Sequence, residues 1–179
     1  MRMLLVGGLV GGVFAGVGIG TARAEAPRLV ETDYGTYEGE PDGTSTDPAY
    51  AVSGNHPMML MRDVRLRRQA DRFPAQLCLR FGMRVMAPPG TELPVHVRVT
   101  QPALPGPDGQ PETEVSWNMV VDDRPLFAGM VLDQPPDLVP GQYMFEVSSG
   151  GEALLRQQFE MLPVRRDAAP LPGCGTPVS

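Results

Sequence analysis

The chain has 179 residues, of which 15 are basic and 21 acidic, and its formal net charge is −6. This length supports one domain with a substantial core and leaves too little for two. The acidic balance argues against a general nucleic-acid-binding protein and against adhesion to anionic membranes. The 20 prolines and 21 glycines interrupt the chain so often that helix is expected to be a minor component.

The amino terminus has the organisation of a signal peptide. Arg2 supplies a positive start, residues 3–19 are apolar, and residues 22–24 (Ala-Arg-Ala) form a small-x-small cleavage site. A membrane anchor is the alternative, but the apolar run is glycine-rich, marginal in length for a span and not followed by basic stop-transfer residues. We therefore predict a signal peptide at residues 1–24, and a soluble mature chain in the periplasm or outside the cell. That chain has 13 basic and 21 acidic residues and a net charge of −8.

Beyond the signal peptide, apolar and polar residues alternate with a period of two, which is typical of strands with one buried face. The clearest strand covers residues 75–86, with Phe81, Met83 and Val85 on the buried face. Other strands are predicted at 93–100, 114–121, 126–132, around 143–147 and through 161, with weaker ones at 28–37 and 62–68. Seven or eight short strands of this kind indicate an all-β protein, an immunoglobulin-like two-sheet antiparallel sandwich over residues 25–162.

A proline-glycine corner precedes one of these strands. In Leu138-x-Pro140-Gly141-x-Tyr143, proline fixes one backbone angle and glycine permits a positive φ at the next residue. The Tyr143 ring would then enter the core, while its hydroxyl bonds to nearby backbone, as in the tyrosine corner of immunoglobulin-like sandwiches. Pro140, Gly141 and Tyr143 are therefore predicted to be a structural corner.

Two segments have the composition of loops or tails. Residues 38–47 (EGEPDGTSTD) form an acidic stretch that is expected to be a solvated loop. A calcium site is the alternative, but the stretch lacks the regular ligand spacing and terminal glutamate of a calcium-binding loop. Residues 163–179 contain few apolar side chains and are predicted to be a flexible tail.

Several short motifs together resemble a family of exported bacterial proteins classed as a domain of unknown function. They are the signal peptide, Asp33-Tyr34-Gly35-Thr36-Tyr37, Pro74-Ala75-Gln76-Leu77-Cys78-Leu79-Arg80-Phe81-Gly82 and Leu138-Val139-Pro140-Gly141-Gln142-Tyr143. The resemblance covers roughly residues 28–162 and implies an immunoglobulin-like β-sandwich. It supplies no catalytic residue, and Cys78 stands where glycine is common in the family, so a family-wide disulfide is not implied.

Candidate chemistry is sparse. The stretch His56-Pro57-Met58-Met59-Leu60-Met61 combines imidazole with thioethers, the ligands that Cu(I) prefers, so a periplasmic copper-binding protein using His56, Met58, Met59 and Met61 is one alternative. Packing by flexible methionines explains the same residues. A hydrolase could use Ser53 with His56 or His96, but no nucleophile motif surrounds them. We expect no enzyme activity and no cofactor.

Cys78 and Cys174 would both lie in an oxidising compartment after export. Cys78 falls on the predicted outer face of its strand, where a tail carrying Cys174 could be attached by a disulfide. Free thiols and a tail-linked dimer are the alternatives.

A basic stretch between Arg62 and Arg98 indicates where a partner could bind. Arg80, Arg84 and Arg98 fall on outward positions of strands expected to be neighbours, and would form a basic patch for an acidic envelope protein or an anionic envelope polymer. The alternative is that the acidic segment 25–47 folds over this face and neutralises it. The sequence as a whole predicts a secreted, non-catalytic binding or envelope-associated module that is not membrane-embedded and does not bind nucleic acid.

Overall fold

The computed structural model describes residues 28–45, 52–53, 58–106, 109–165 and 171. Within these ranges the chain forms strands and a short 3-10 turn at Pro135–Asp137. The strands are β1 (Val30–Ser45), β2 (Met58–Arg68), β3 (Arg72–Pro74), β4 (Arg80–Met86), β5 (Leu93–Pro105), β6 (Pro111–Val121), β7 (Leu126–Val131), β8 (Gly141–Ser149) and β9 (Glu152–Leu162). The all-β, two-sheet architecture predicted from the alternating pattern is confirmed.

The two sheets differ in size. One has four strands in the order β2-β1-β4-β7, and its pairs are antiparallel. The other has five strands in the order β3-β9-β8-β5-β6 and is antiparallel except for the short parallel pair of β3 and β9. Because β4 and β5 belong to different sheets, the connection at residues 87–92 crosses from one sheet to the other.

The core between the sheets is rich in aromatic rings. The fully buried ring of Phe81 in β4 packs edge-on against Tyr143, Phe145 and Phe159 of the five-stranded sheet, at centroid distances of 5.3, 5.6 and 5.6 Å. Edge-to-face pairs of this kind contribute about 0.5–1.5 kcal/mol each beyond their burial. The ring of Phe81 therefore joins the two sheets.

The structure corrects the predicted boundaries of β1. This strand continues to Ser45, so residues 38–45 pair with β2 and do not form the acidic loop expected at 38–47. Their described part is not a calcium-binding loop. Since β4 pairs only with residues 30–37, β1 and β2 continue past Tyr37 as a two-stranded ribbon. The sequence did not predict this part of the strand, because a composition rich in Gly, Asp and Thr resembles a loop. An exposed pair of strands buries neither face and so shows no alternation of apolar residues.

The predicted strand at 75–86 begins only at Arg80. Cys78 has a φ of 69° and lies in a turn before β4, closed by the Leu79 amide, which donates to the Gln76 carbonyl at 3.1 Å; this turn interrupts the alternation of faces. The Cys78 side chain is 1% exposed, and its amide donates to the Leu132 carbonyl at 2.7 Å. Cys78 therefore lies in the turn before β4 and not on the face of a strand, which corrects its predicted position. The three-residue β3 was missed because it is too short to show a period.

The carboxyl-terminal tail makes at least one ordered contact. Leu171 packs against the core, and its amide donates to the Leu77 carbonyl at 3.0 Å. The prediction of an unpacked tail is therefore wrong at this residue. No helix in the described ranges is long and apolar enough to cross a membrane.

Candidate functional site

The basic patch predicted from Arg80, Arg84 and Arg98 does not exist as one surface. Arg80 and Arg84 lie on β4 of the four-stranded sheet, whereas Arg98 lies on β5 of the five-stranded sheet. Arg80 is 2% exposed, and its Nη1 donates to the Cys78 carbonyl at 3.2 Å. Burial lowers the pKa of its guanidinium. The prediction is wrong because strands consecutive in sequence were taken to be neighbours in one sheet.

Arg84 belongs to a network on the outer face of the four-stranded sheet. It is paired with Asp33, and its Nε lies 2.9 Å from Asp33 Oδ1. The Tyr37 hydroxyl donates to the same Oδ1 at 2.7 Å. The hydrogen bond from Arg84 lowers the pKa of Asp33, assisted by the Tyr37 hydroxyl and opposed by burial. Burial and the Asp33 carboxylate raise the pKa of Tyr37 well above its ordinary value. The network is closed, with both the cation and the anion satisfied.

The Tyr37 ring is buried although it lies outside the core between the sheets. Tyr37 pairs with Arg80, Gly35 with Gly82 and Asp33 with Arg84, and directly paired residues point to the same face. The intervening Phe81 is in the core, so Tyr37 lies on the outer face. Its ring packs against Phe127 of β7 at a centroid distance of 4.8 Å. This face thus has a small packed layer of its own.

Arg98 belongs to a second network, on the outer face of the five-stranded sheet. Its Nη2 lies 2.7 Å from Glu146 Oε1, and Arg156 Nε lies 2.7 Å from Glu146 Oε2. The hydrogen bond from Arg156 is the main cause that lowers the pKa of Glu146. The alternative, neutralisation of the three arginines by the segment 25–47, holds for Arg84, which pairs with Asp33, but not for Arg98, which pairs with Glu146. Glu40 of the same segment pairs with Arg62. Asp33 and Glu40 lie in a strand of the same sheet as Arg84 and do not fold over it.

Three arginines on β2 differ from the rest. Arg65, Arg67 and Arg68 are exposed, and their guanidinium groups form no hydrogen bond or ion pair with any described residue, although their backbones belong to the β1–β2 ladder. We refer to them as the β2 arginine cluster. Each other arginine in the described ranges has at least one specific contact. These are Arg28, Arg62, Arg72, Arg80, Arg84, Arg98, Arg124, Arg156 and Arg165.

The residues considered for catalysis are engaged in structural contacts where the structure describes them. His96 is exposed, with its Nδ1 3.0 Å from Asn118 Oδ1. The Ser53 hydroxyl accepts a hydrogen bond from the Ser116 amide at 2.8 Å. Between Pro94, His96 and Asn118 lies a shallow depression of about 390 Å³. Its polar side chains bond within the protein, so it presents no converging groups for a ligand.

The copper alternative stays a prediction. His56 lies outside the described residues, and the side chains of Met58 and Met59 are likewise not described. Met61 is half-buried in β2 and pairs with Pro41. Among the residues with described positions, no three His, Cys, Asp or Glu side chains are grouped to hold a metal ion.

The corner before β8 is held by the Tyr143 hydroxyl, which donates to the Val139 carbonyl at 2.8 Å. Burial raises the pKa of Tyr143 to about 12. Gly141 has a φ of 147°, and a Cβ built on it would lie 2.6 Å from the Pro102 ring. The hydrogen bond explains the tyrosine at position 143, and the positive φ with the close Pro102 ring explains the glycine at position 141. The disulfide between Cys78 and Cys174 stays a prediction, since Cys174 lies outside the described residues.

Two packed sheets, an aromatic core joining them and a tyrosine corner define this protein as an immunoglobulin-like β-sandwich. A crystallised immunoglobulin-like protein from Pseudomonas aeruginosa shares the fold, with a TM-score of 0.53 and 21% identity over 79% of this chain and 99% of that one. The chain belongs to the family described as "Domain of unknown function (DUF3859)", whose sequence profile matches residues 31–161. No curated protein matches the chain.

Sequence reasoning missed the Asp33–Tyr37–Arg84 network and the β2 arginine cluster. The sequence does contain a pattern that could have indicated the Asp33–Tyr37–Arg84 network. Gly-x-Tyr occurs at Gly35 and again at Gly141, which indicates two related corners. The pattern that could have indicated the β2 arginine cluster is weaker. The run of arginines in β2 is visible in the sequence, but only the structure shows which of the chain's arginines are already paired.

Proposed function

We propose that the protein is an exported, non-catalytic binding module that acts in the periplasm or outside the cell through an envelope partner. Export is inferred from the amino-terminal sequence, with its positive start, apolar run and Ala-x-Ala cleavage site. Family membership and fold are compatible with this function but do not specify it, because immunoglobulin-like sandwiches host many functions.

The proposal depends on one observation: which charged side chains are paired within the described part of the protein and which are exposed without a partner there. Asp33 and Glu146 each hold an arginine in a closed network on an outer sheet face, and His96 is bonded to Asn118. A catalytic site would need reactive side chains that converge on an open space. The two described candidates for nucleophile and base, Ser53 and His96, are instead hydrogen-bonded to the protein. The exposed cations of β2 are available to another molecule, as a binding surface requires.

Export and partner binding can be tested on one culture. The full-length gene, with a carboxyl-terminal affinity tag, is expressed in its own bacterium, and the cells are separated into cytoplasmic and envelope fractions. The intact mass of the purified protein should correspond to a chain beginning at Glu25. Reversible crosslinking before lysis should yield a discrete partner from the envelope fraction. An uncleaved chain confined to the cytoplasm would refute export, and an absence of any discrete crosslinked product would refute the binding role.

A further inference from the structure

We propose that the β2 arginine cluster, Arg65, Arg67 and Arg68, is a docking surface for a short acidic segment of a partner polypeptide. This inference rests on the proposed binding function and gives it a location on the molecule and a partner chemistry.

The first argument is the contrast between these arginines and the others. Acidic residues outnumber basic ones in the chain, 21 to 15, so an anion is available to most guanidinium groups. Exposed arginines elsewhere use this excess, as Arg62 does with Glu40 and Arg124 with Asp122. The β2 arginine cluster does not. Its guanidinium groups retain their donors for forked contacts with carboxylates of another molecule.

The second argument is the position of the cluster on a sheet edge. β2 is the outer strand of the four-stranded sheet, and no described strand pairs with its open side. Leu66 pairs with Tyr37 and Arg68 with Thr36, so Arg67 is an extra residue that forms a bulge. A bulge changes the direction of side chains and increases the local twist. The Cα atoms of the three arginines therefore span about 10 Å of strand, at 3.3 Å per residue, at an edge that a partner can approach.

The bulge also argues against two other occupants of this edge. It interrupts the regular row of backbone donors and acceptors, which makes simple strand addition unfavourable and assigns recognition to the side chains. A second copy of the chain pairing through β2 would follow a two-fold axis. When the axis passes through the cluster, that arrangement brings the cluster of one copy against the same cluster of the other. Repulsion between like charges makes it unfavourable.

The surroundings limit the length of the acidic segment. Asp63 and Asp71 flank the cluster in sequence, and Glu38 lies opposite Arg65 on β1. A long uniform polyanion would meet these carboxylates at both ends and be repelled. A segment with two or three carboxylates and neutral flanks would contact the arginines alone. A short acidic stretch of polypeptide matches this pattern better than an anionic polymer.

The test measures binding of a defined probe by fluorescence anisotropy. The probe is a labelled peptide with three consecutive glutamates between Gly-Ser flanks, and the comparison peptide has glutamines in their place. The cluster variant is Arg65→Gln with Arg67→Gln and Arg68→Gln. The matched control is Arg98→Gln with Arg124→Gln and Arg156→Gln, which removes the same charge from arginines that are exposed and already paired. Melting curves establish that both variants are folded.

We expect saturable binding of the glutamate peptide to the wild-type protein and none of the glutamine peptide. The cluster variant should bind at least about tenfold more weakly, the loss of about 1.4 kcal/mol expected from one charge-assisted contact. The control should stay within about twofold of wild type. Absence of saturable binding, or equal weakening in both variants, would overturn the proposal. So would tighter binding of long-chain polyphosphate than of the peptide, which would indicate an anionic polymer.

Two further outcomes separate this inference from the function on which it rests. If crosslinking from the envelope captures the same partner with wild type and cluster variant, the binding function stands and this docking surface is wrong. If the wild type binds no glutamate peptide and the cluster variant self-associates, the arginines serve to protect the sheet edge from aggregation. That result would likewise overturn the proposal.

Discussion

Tyr37 in the four-stranded sheet repeats the local arrangement of Tyr143 in the five-stranded sheet. Each follows a glycine by two residues, and that glycine has a positive φ, 143° at Gly35 and 147° at Gly141. The Tyr143 hydroxyl donates to the carbonyl four residues earlier at 2.8 Å. The Tyr37 hydroxyl shares its one proton between the carbonyl four residues earlier, at 3.1 Å, and Asp33 Oδ1, at 2.7 Å. The rings differ in direction, since Tyr143 lies in the core and Tyr37 on the outer face. The sandwich thus has a tyrosine-based corner in each sheet.

Replacing either tyrosine by phenylalanine tests the two corners separately. Tyr143→Phe should lower the free energy of unfolding by about 1 kcal/mol, because one hydrogen bond to a backbone carbonyl is lost. Tyr37→Phe should cost more, about 1.5–3 kcal/mol, because the hydroxyl also bonds to the ionised Asp33 carboxylate. Urea denaturation monitored by circular dichroism measures both. Equal and negligible losses would show that the hydroxyls do not stabilise the corners.

The Asp33–Arg84 pair predicts a specific dependence of stability on pH. The hydrogen bond from Arg84 holds the pKa of Asp33 below its unfolded value, which is about 3.9. A carboxyl with a lowered folded pKa stabilises the protein above the unfolded pKa, and this stabilisation is lost as the pH falls through the folded pKa. Asp33→Asn should therefore be less stable than wild type at neutral pH, and the difference should shrink below about pH 4.

Denaturant unfolding of both proteins from pH 7 to pH 2.5 provides this comparison. Asp42→Asn is the control, because Asp42 is exposed and its interaction with the described residue Arg62 is an electrostatic attraction without a hydrogen bond. A wild-type advantage over Asp33→Asn that persists unchanged at the lowest pH would contradict the assignment.

Gly35 is predicted to be the least replaceable glycine in β1. A Cβ there would lie 2.1 Å from the Arg68 carbonyl oxygen, and its φ of 143° disfavours other residues. Gly90→Ala is the control, since Gly90 has a φ of 75° but no atom within 4 Å of the added Cβ. Strain alone should cost about 1–2 kcal/mol in the control. Gly35→Ala should cost clearly more, or prevent folding, because backbone must move. Similar thermal melting temperatures for the two variants would contradict this account.

The contact between Leu171 and Leu77 supports the predicted Cys78–Cys174 disulfide. It holds the tail beside Cys78 three residues before Cys174. Such a bridge would close a loop of about 95 residues and stabilise by about 4–5 kcal/mol in the chain-entropy model. Intact mass after alkylation in denaturant should show no modified cysteine without reductant and two with it. Two alkylations without reductant would exclude the bridge, and a disulfide-linked dimer would indicate pairing between chains.

The strands with one buried face could be predicted from the sequence, because Val95, Val97 and Val99 alternate with polar residues in a period that only a half-buried strand produces. The corner at Tyr143 could be predicted because proline and glycine restrict the chain locally. The networks on the outer faces of the two sheets could not be predicted from the sequence. Whether Arg98 and Arg84 are neighbours depends on which sheet each strand joins, and alternation carries no information on that choice. The strand residues 38–45 of the two-stranded ribbon were not predicted, because neither face of this segment shows the alternation of apolar and polar residues.

The most direct test of the central claim, that this sandwich binds an envelope partner through the edge strand β2, is site-specific photo-crosslinking in living cells. A photoreactive amino acid replaces Gln69, which is exposed and adjacent to the β2 arginine cluster, so the arginines are retained. The control replaces Thr113, exposed on β6 at the edge of the other sheet. We expect a discrete crosslinked polypeptide from position 69, absent from position 113 and lost in the cluster variant. The same product from both positions, or none from position 69, would contradict it.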